Sequence, residues 1–287
     1  MRDAKSMDQN PAAVLETGVI TELAPGVRRL IAPNASMMTG PGTNTYLLGI
    51  DEVAVLDPGP DIDEHIERIQ ELAGGRIAWI LVTHTHPDHS PAAAKLASAT
   101  GAELLGRAPP HGRHQDQTFE PDRIPWDGDV FEAAEFSLQV VHTPGHASNH
   151  LCYLHTELNW LFTGDHIING STVVIDPPDG NMGDYLRSLD RLRELEIDII
   201  APGHGGLMQD PRAVIDWHID HRLEREAKVV AALKGNPDST SRALVEQVYA
   251  DVDEKFHELA EHTLLAHLIY LEEECRATML RGRWRLS

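Results

Sequence analysis

The chain predicts an α/β protein with a helical C-terminal part, and three observations carry that expectation. Four short apolar runs, ending near residues 82, 141, 162 and 201, each pass straight into a turn bearing His or Asp. Helical patterns with their own start and stop residues fall between several of these runs. After Asp210 the composition changes to long helical patterns closed by a short β element.

Taken in order, residues 1–12 are polar and read as a flexible N-terminus. Stretches 14–21, 27–32, 43–48 and 53–56 read as short strands between Gly, Pro and Asn breakers. Loop 34–42 carries Met37 and Met38, which either wall a substrate with adaptable side chains or tuck into the core. Asp57-Pro58-Gly59-Pro60 ends a strand. Asp61 or Asp63 then caps a helix with Ile62, Ile66, Ile69 and Leu72 at its apolar positions, closed by Gly74-Gly75. The apolar run from Ile77 to Val82 leads into Thr83-His84-Thr85-His86-Pro87-Asp88-His89-Ser90. Ser90-Pro91 starts an alanine-rich helix that Gly101 stops.

Residues 102–128 read as loop, with His111 and His114 solvated rather than ligating. Strands follow at 130–131 and 136–141, and the second runs into His142-Thr143-Pro144-Gly145-His146. Further strands at 151–154 and 160–162 precede Thr163-Gly164-Asp165-His166. Loop 167–183 leads to a helix over 184–195 with Leu186, Leu189, Leu192 and Leu195 on one face. A strand over 197–201 ends in Pro202-Gly203-His204-Gly205. Helices then span 210–234, 241–249 and 253–275, and 279–286 reads as a hairpin. His218 and His221, one turn apart on the first of these helices, read as surface residues rather than as ligands. Helices closed by a small β element describe a winged-helix-like unit over 211–287, with the main domain over 13–210.

Composition narrows the function classes. The 287 residues are 41% hydrophobic and 24% charged, ordinary for a globular protein, but the net charge is −21. Such a balance repels nucleic-acid phosphate and anionic membrane. The two cysteines, Cys152 and Cys275, are far apart and make no disulfide framework. No apolar segment follows Met1, and no run of about 18 apolar residues occurs, so neither a secretion signal nor a membrane span is expected. The expectation is a cytoplasmic protein.

The four polar turns supply seven candidate ligands: His84, His86, Asp88, His89, His146, Asp165 and His204. In layered α/β folds the C-terminal ends of strands gather at one edge, so the turns converge. Seven N and O donors exceed one tetrahedral ion and suit two ions sharing a ligand. The donor set suits Zn²⁺ and tolerates Mn²⁺ or Fe²⁺. Cys152 alternates into an apolar strand and reads as core. His150 and His166 flank the ligands and read as hydrogen-bond donors behind them or as substrate contacts.

His-X-His-X-Asp-His followed by His, Asp and His resembles the metal signature of the metallo-β-lactamase-fold hydrolases, over roughly residues 14–210. Asp57 matches that superfamily's first motif, an Asp at a strand end that helps hold the metal loop. The resemblance implies an αββα four-layer sandwich. It implies that His84, His86 and His146 hold one metal, that Asp88, His89 and His204 hold a second, and that Asp165 bridges them. Thr43-Asn44-Thr45-Tyr46-Leu47, the helix over 218–227 and Leu259 to Leu268 look like the lactamase-beta-like-protein-2 group, whose C-terminal extension is a winged helix.

What the resemblance implies is a zinc-dependent hydrolase in which a hydroxide bridging two cations attacks the substrate, with Asp88 orienting it and shuttling its proton. The group includes a single-strand endoribonuclease and fungal acyl-carrier-protein thioesterases. Asp165 stands where the superfamily's lactamases carry Cys or Ser, leaving weak β-lactam hydrolysis at most. His86 stands where its di-iron flavoproteins carry Glu. RNA is disfavoured by charge: residues 211–287 hold 11 basic against 14 acidic residues, and only Arg281, Arg283 and Arg285 around Trp284 form a basic point, able to touch phosphate and stack a base but better read as a solvated hairpin. A small acyl substrate, thioester- or lactone-like, is the expectation, with RNA cleavage as the alternative. The apolar stripe on 259–271 points to packing on the main domain or in a homodimer.

Overall fold

The computed structural model describes residues 15–112 and 114–287. The N-terminal stretch expected over residues 1–12 lies outside the described residues. The chain forms two compact units. One runs to Thr143 and adds Asn149–Thr172 and Leu195–Val214; the other holds Pro144–Ser148, Val173–Glu194 and Ile215–Ser287.

Two six-stranded sheets build the first unit. Strands β1 (Thr21–Ala24), β2 (Val27–Ile31), β3 (Asn44–Leu48) and β4 (Val53–Leu56) pair antiparallel. Strands β5 (Ile77–Leu81) and β6 (Glu103–Leu105) then add in parallel. The connections carry α1 (Asp63–Ala73) and α2 (Ala92–Thr100), as parallel pairing requires. In the second sheet β7 (Val130–Glu132), β8 (Ser137–His142), β9 (Leu151–His155) and β10 (Trp160–Gly164) run antiparallel. Strand β11 (Ile199–Pro202) joins β10 in parallel, and β12 (Met208–Gln209) closes that edge.

The two-residue period of a strand explains the layering. Tyr46, Leu48, Ala54 and Leu56 face one core together with Leu138, Val140, Tyr153 and Phe162 of the second sheet. Their neighbours Leu47, Val53 and Val55 face the opposite way, onto Ile66 and Ile69 of α1 and Ala92, Ala93 and Leu96 of α2. Strands β3, β4 and β9 are buried along their whole length, as covered strands must be. Paired sheets with flanking helices are the architecture expected of an αββα sandwich.

In the second unit, α3 (Met182–Leu192) is followed by α4 (Pro211–Gly235), whose first turn belongs to the first unit. Helices α5 (Ser241–Val248) and α6 (His257–Glu273) and the hairpin β13 (Ala277–Leu280) and β14 (Arg283–Leu286) complete it. Val229, Leu233, Leu244, Val248, Leu264, Leu268, Leu271 and Trp284 share one core there. Trp284 is only 5% exposed, so it is core and not a platform for stacking a base. Its neighbours Arg281, Arg283 and Arg285 are exposed.

Several sequence expectations need correction. The first strand begins at Thr21, because Gly18 takes a left-handed φ of 76°. Strand β6, three residues long, falls in the stretch read as loop, and the two-residue β12 in one to which no element was assigned. Helix α3 starts at Met182 because the Asn181 side chain caps it through the amide of Asp184. His218, expected on a surface helix, is buried. Met37 and Met38 do not enter the core; they are 72% and 52% exposed. No helix of the described residues is long and apolar enough to cross a membrane.

Candidate metal centre

Asp57 follows β4 with a left-handed φ of 50°, which turns its carboxylate, 2% exposed, beneath the histidine loop. Its Oδ1 accepts the amide of Thr83 at 2.8 Å, and its Oδ2 accepts the Thr83 hydroxyl at 2.8 Å and His89 Nδ1 at 3.0 Å. Because the Thr83 proton goes to the carboxylate, Thr83 Oγ1 can only accept from His84 Nδ1, 3.0 Å away. One carboxylate therefore fixes two rings with Nδ1–H turned to the scaffold and Nε2 turned outward. His86 is turned the opposite way: its Nδ1 faces the outward nitrogen of His84, 3.0 Å from Nε2.

The strand ends of the second sheet bring the opposite wall. Strand β10 stops at Gly164, whose φ is 46° and where a Cβ would lie 2.5 Å from Thr83 Oγ1 and 2.9 Å from His150 Nε2. Strand β11 stops before Gly203, where a Cβ would meet Asp165 Oδ1 and His89 Cε1 at 2.8 Å. Both positions are glycine because the polar groups close in around the backbone. His204 donates Nδ1–H to the carbonyl of Gly42 at 3.3 Å, again leaving Nε2 for the site. Thr43 Oγ1 reaches Asp88 Oδ2 at 3.4 Å, and Asn34 holds Thr43 through both its amide and its hydroxyl. Loop 34–42, with its exposed methionines, is thus rooted on two of the candidate ligands.

Four donor atoms converge. His204 Nε2 lies 3.1 Å from Asp88 Oδ2 and 3.3 Å from Asp165 Oδ1; His89 Nε2 lies 3.4 Å from each. His89 Nε2 is fully buried yet makes no hydrogen bond. Four N and O donors bound tetrahedrally at about 2.0–2.1 Å stand about 3.3–3.4 Å apart. The residues present therefore fit a divalent cation. Asp88, His89 and His204 form one group whose donor atoms all lie within 4.8 Å of one another, and His84, His89 and Asp165 form another.

The electrostatics suit the same occupant. Burial alone would raise the carboxyls of Asp88 and Asp165, but His89 and His204 hold both well below the usual carboxylate range. Burial works against charge on His204, yet Asp165 and Asp88 raise it to about 10. Burial, with the neighbouring rings of His89, His86 and His150, pushes His84 well below the ordinary value, which favours the neutral ring.

His150 is fully buried and accepts the amide of Asp165 at Nε2, 3.2 Å away. An amide can only donate, so this nitrogen carries no proton, and Nδ1 donates to Thr143 Oγ1 at 2.9 Å. The expected donor behind the ligands is an acceptor at the nitrogen facing Asp165. His166 is fully buried, with its ring centre 5.9 Å from that of His150. Cys152 is buried as expected, and burial pushes its thiol up to about 12. His111 and His114 are exposed.

His146 belongs to the second unit, where its Nδ1 donates to the carbonyl of Val174 at 2.7 Å. Thr83, Thr43 and Asn34 were not singled out as site residues. The available signal was their position beside ligand turns, since hydroxyl and amide side chains there satisfy ring nitrogens and backbone.

The sequence profile described as Metallo-beta-lactamase superfamily matches residues 38–204, and that described as Beta-lactamase associated winged helix domain matches residues 240–284. A Beta-lactamase-like protein 2 homolog from Drosophila melanogaster is 30% identical over 270 residues, covering 89% of this chain and 90% of that one. An Atrochrysone carboxyl ACP thioesterase from Aspergillus chevalieri is 31% identical over 252 residues, covering 82% and 77%. The crystal structure of a Beta-lactamase domain protein from Burkholderia ambifaria superposes with a TM-score of 0.79 at 22% identity, over 99% of this chain and 97% of that one. A histidine loop held from Asp57, donor groups gathered at strand ends and two sheets with flanking helices thus meet a matching profile: the chain belongs to the metallo-beta-lactamase superfamily and carries its associated winged helix domain.

Proposed function

We propose that this protein is a dinuclear, zinc-dependent hydrolase of small acyl substrates, thioester- or lactone-like. In this reading His84, His86 and His146 would hold one cation and Asp88, His89 and His204 the other, with Asp165 available to both. The 13–210 region is the catalytic domain and 211–287 the accessory one. The observation that carries the reading is the convergence of His89, His204, Asp88 and Asp165 donors at 3.1–3.4 Å.

Bound divalent cations polarise a scissile carbonyl and bring water to its hydroxide form near neutral pH. The chain's own residues do the rest. Asp88, its side chain 26% exposed, is a proposed ligand that solvent reaches, and its ionised carboxylate accepts the proton of the attacking water and passes it to the leaving group. Asp57 and Thr83 keep His84 and His89 aimed while charge develops. Met37 and Met38, on a loop rooted at Thr43 and His204, offer an apolar rest for an acyl chain.

Support for an acyl group comes from a thioesterase-named relative and from the net charge of −21, which opposes a polyphosphate substrate. The test is a hydrolysis panel on metal-analysed protein, with acyl thioesters, lactones, single-stranded RNA, phosphodiesters and a β-lactam. Acyl thioesters or lactones should turn over fastest, and Asp165→Ala should abolish that turnover. Faster cleavage of RNA, or turnover unchanged by exhaustive chelation, would refute the proposal.

A further inference from the structure

We propose that the C-terminal helical extension serves as the positioning element for His146, acting through the strap formed by residues 173–181. The inference rests on the ligand set proposed above. All the contacts that carry it lie within the second unit.

The alternation of an extended backbone sends successive carbonyls to opposite sides. On one side the strap is held by the C-terminal helices. Arg222 of α4 donates to the carbonyl of Val173 at 2.5 Å, and Thr263 Oγ1 of α6 accepts the amide of Ile175 at 3.2 Å. Between them the carbonyl of Val174 accepts His146 Nδ1 at 2.7 Å. Arg222 and Thr263 are 3% and 6% exposed, so water does not replace these bonds readily. The Arg222 guanidinium also lies over the Tyr185 ring, 5.1 Å from its centre.

The rest of the strap closes around the His146 turn. His262 of α6 pairs with Asp176 at 2.7 Å, and the carbonyl of Asp176 accepts the amide of Gly180 at 2.8 Å. Asp179 Oδ1 accepts the Ser148 hydroxyl, and the amide of Asn181 donates to the carbonyl of Gly145 at 2.8 Å. Asn181 in turn donates to Glu273 of α6 at 3.2 Å. Gly145 has a φ of 142°, and a Cβ there would lie 2.3 Å from Tyr185 Cα, so the turn is seated hard against α3. The extension thus fixes both the backbone that carries His146 and the carbonyl that holds its proton on Nδ1. Arg222 and Thr263 are positioning residues: they reach the ring only through the strap.

The test titrates metal-free full-length protein with Zn²⁺ by calorimetry and chelator competition. His146→Ala should abolish one of two tight binding events. Thr263→Val, isosteric but with no acceptor, should weaken that same event about tenfold and leave the other unchanged, the size expected for losing a partner behind a ligand. Thr263→Ser should restore it. His262→Ala, a half-exposed change that keeps the core, should weaken the same event less. In long-range nitrogen–proton spectra of metal-free protein, the Nδ1–H form of His146 should lose population in Thr263→Val. The inference is overturned if His146→Ala loses an event while Thr263→Val and His262→Ala titrate as wild type. If His146→Ala itself titrates as wild type, the ligand assignment beneath the inference is refuted instead.

Discussion

Replacing Asp57 with Asn should damage the candidate metal centre without touching a proposed ligand. The carboxylate accepts three hydrogen bonds: from the Thr83 amide, the Thr83 hydroxyl and His89 Nδ1. A carboxamide keeps one acceptor oxygen for the Thr83 amide, but its NH₂ then faces the Thr83 hydroxyl and His89 Nδ1–H, both of which donate to the wild-type carboxylate. Two charge-assisted bonds are lost, each about 1.5–3 kcal/mol, which sets the cost at about 3–6 kcal/mol in metal-free protein. At 2% exposure water cannot reach in to replace them. Urea unfolding of metal-free protein, followed by tryptophan fluorescence, should show the midpoint falling with little change in slope. Zn²⁺ affinity should fall about 10- to 100-fold, because His84 and His89 lose their orientation together. A loss below about 1 kcal/mol with wild-type Zn²⁺ affinity would refute the reasoning that Asp57 organises the loop.

Three further outcomes follow. In metal-free protein, His204 is raised to about 10 by Asp165 and Asp88 against its burial, so its stabilising charge is fully present below about 6.5, its unfolded value, and is lost as pH climbs towards 10. Metal must displace that proton, so Zn²⁺ uptake should release protons in buffer-dependent calorimetry and strengthen as pH rises through neutrality; pH-independent uptake would contradict this. Gly203→Ala places a methyl 2.8 Å from Asp165 Oδ1 and His89 Cε1, which should cost about 1–3 kcal/mol and lower metal occupancy, read by denaturation and elemental analysis. The double change Met37→Ser with Met38→Ser should leave stability within about 0.5 kcal/mol, since both side chains are exposed. It should raise KM selectively for long acyl chains, and equal effects on short and long acyl esters would exclude an acyl rest there.

Much of the centre was legible because its signals are local. An apolar run into His-X-His-X-Asp-His is a strand feeding a turn, and His89, Asp165 and His204 indeed meet with Asp88. The short strands β6 and β12 were not legible, since three and two residues carry no period. Nor was the fate of Trp284: its basic neighbours suggested an exposed hairpin, yet its ring is drawn into the core of α4, α5 and α6. His150 was read as a donor because a free imidazole can do either; only the amide of Asp165, 15 positions away, fixes it as an acceptor.

The sequence by itself determined the α/β class, the strands that run into the polar turns and the set of groups able to hold a cation, because hydrophobic period and turn residues act over a few positions. Tertiary structure alone decided which nitrogen of each ring faces inward. That choice depends on partners such as Gly42 for His204, 162 positions away, and Asp57 for His89, 32 positions away. It also decided that the segment bearing His146 belongs with the C-terminal helices. The bonds behind that grouping join Val173 to Arg222 and Ile175 to Thr263 across 49 and 88 positions, a range at which no local pattern leaves a trace.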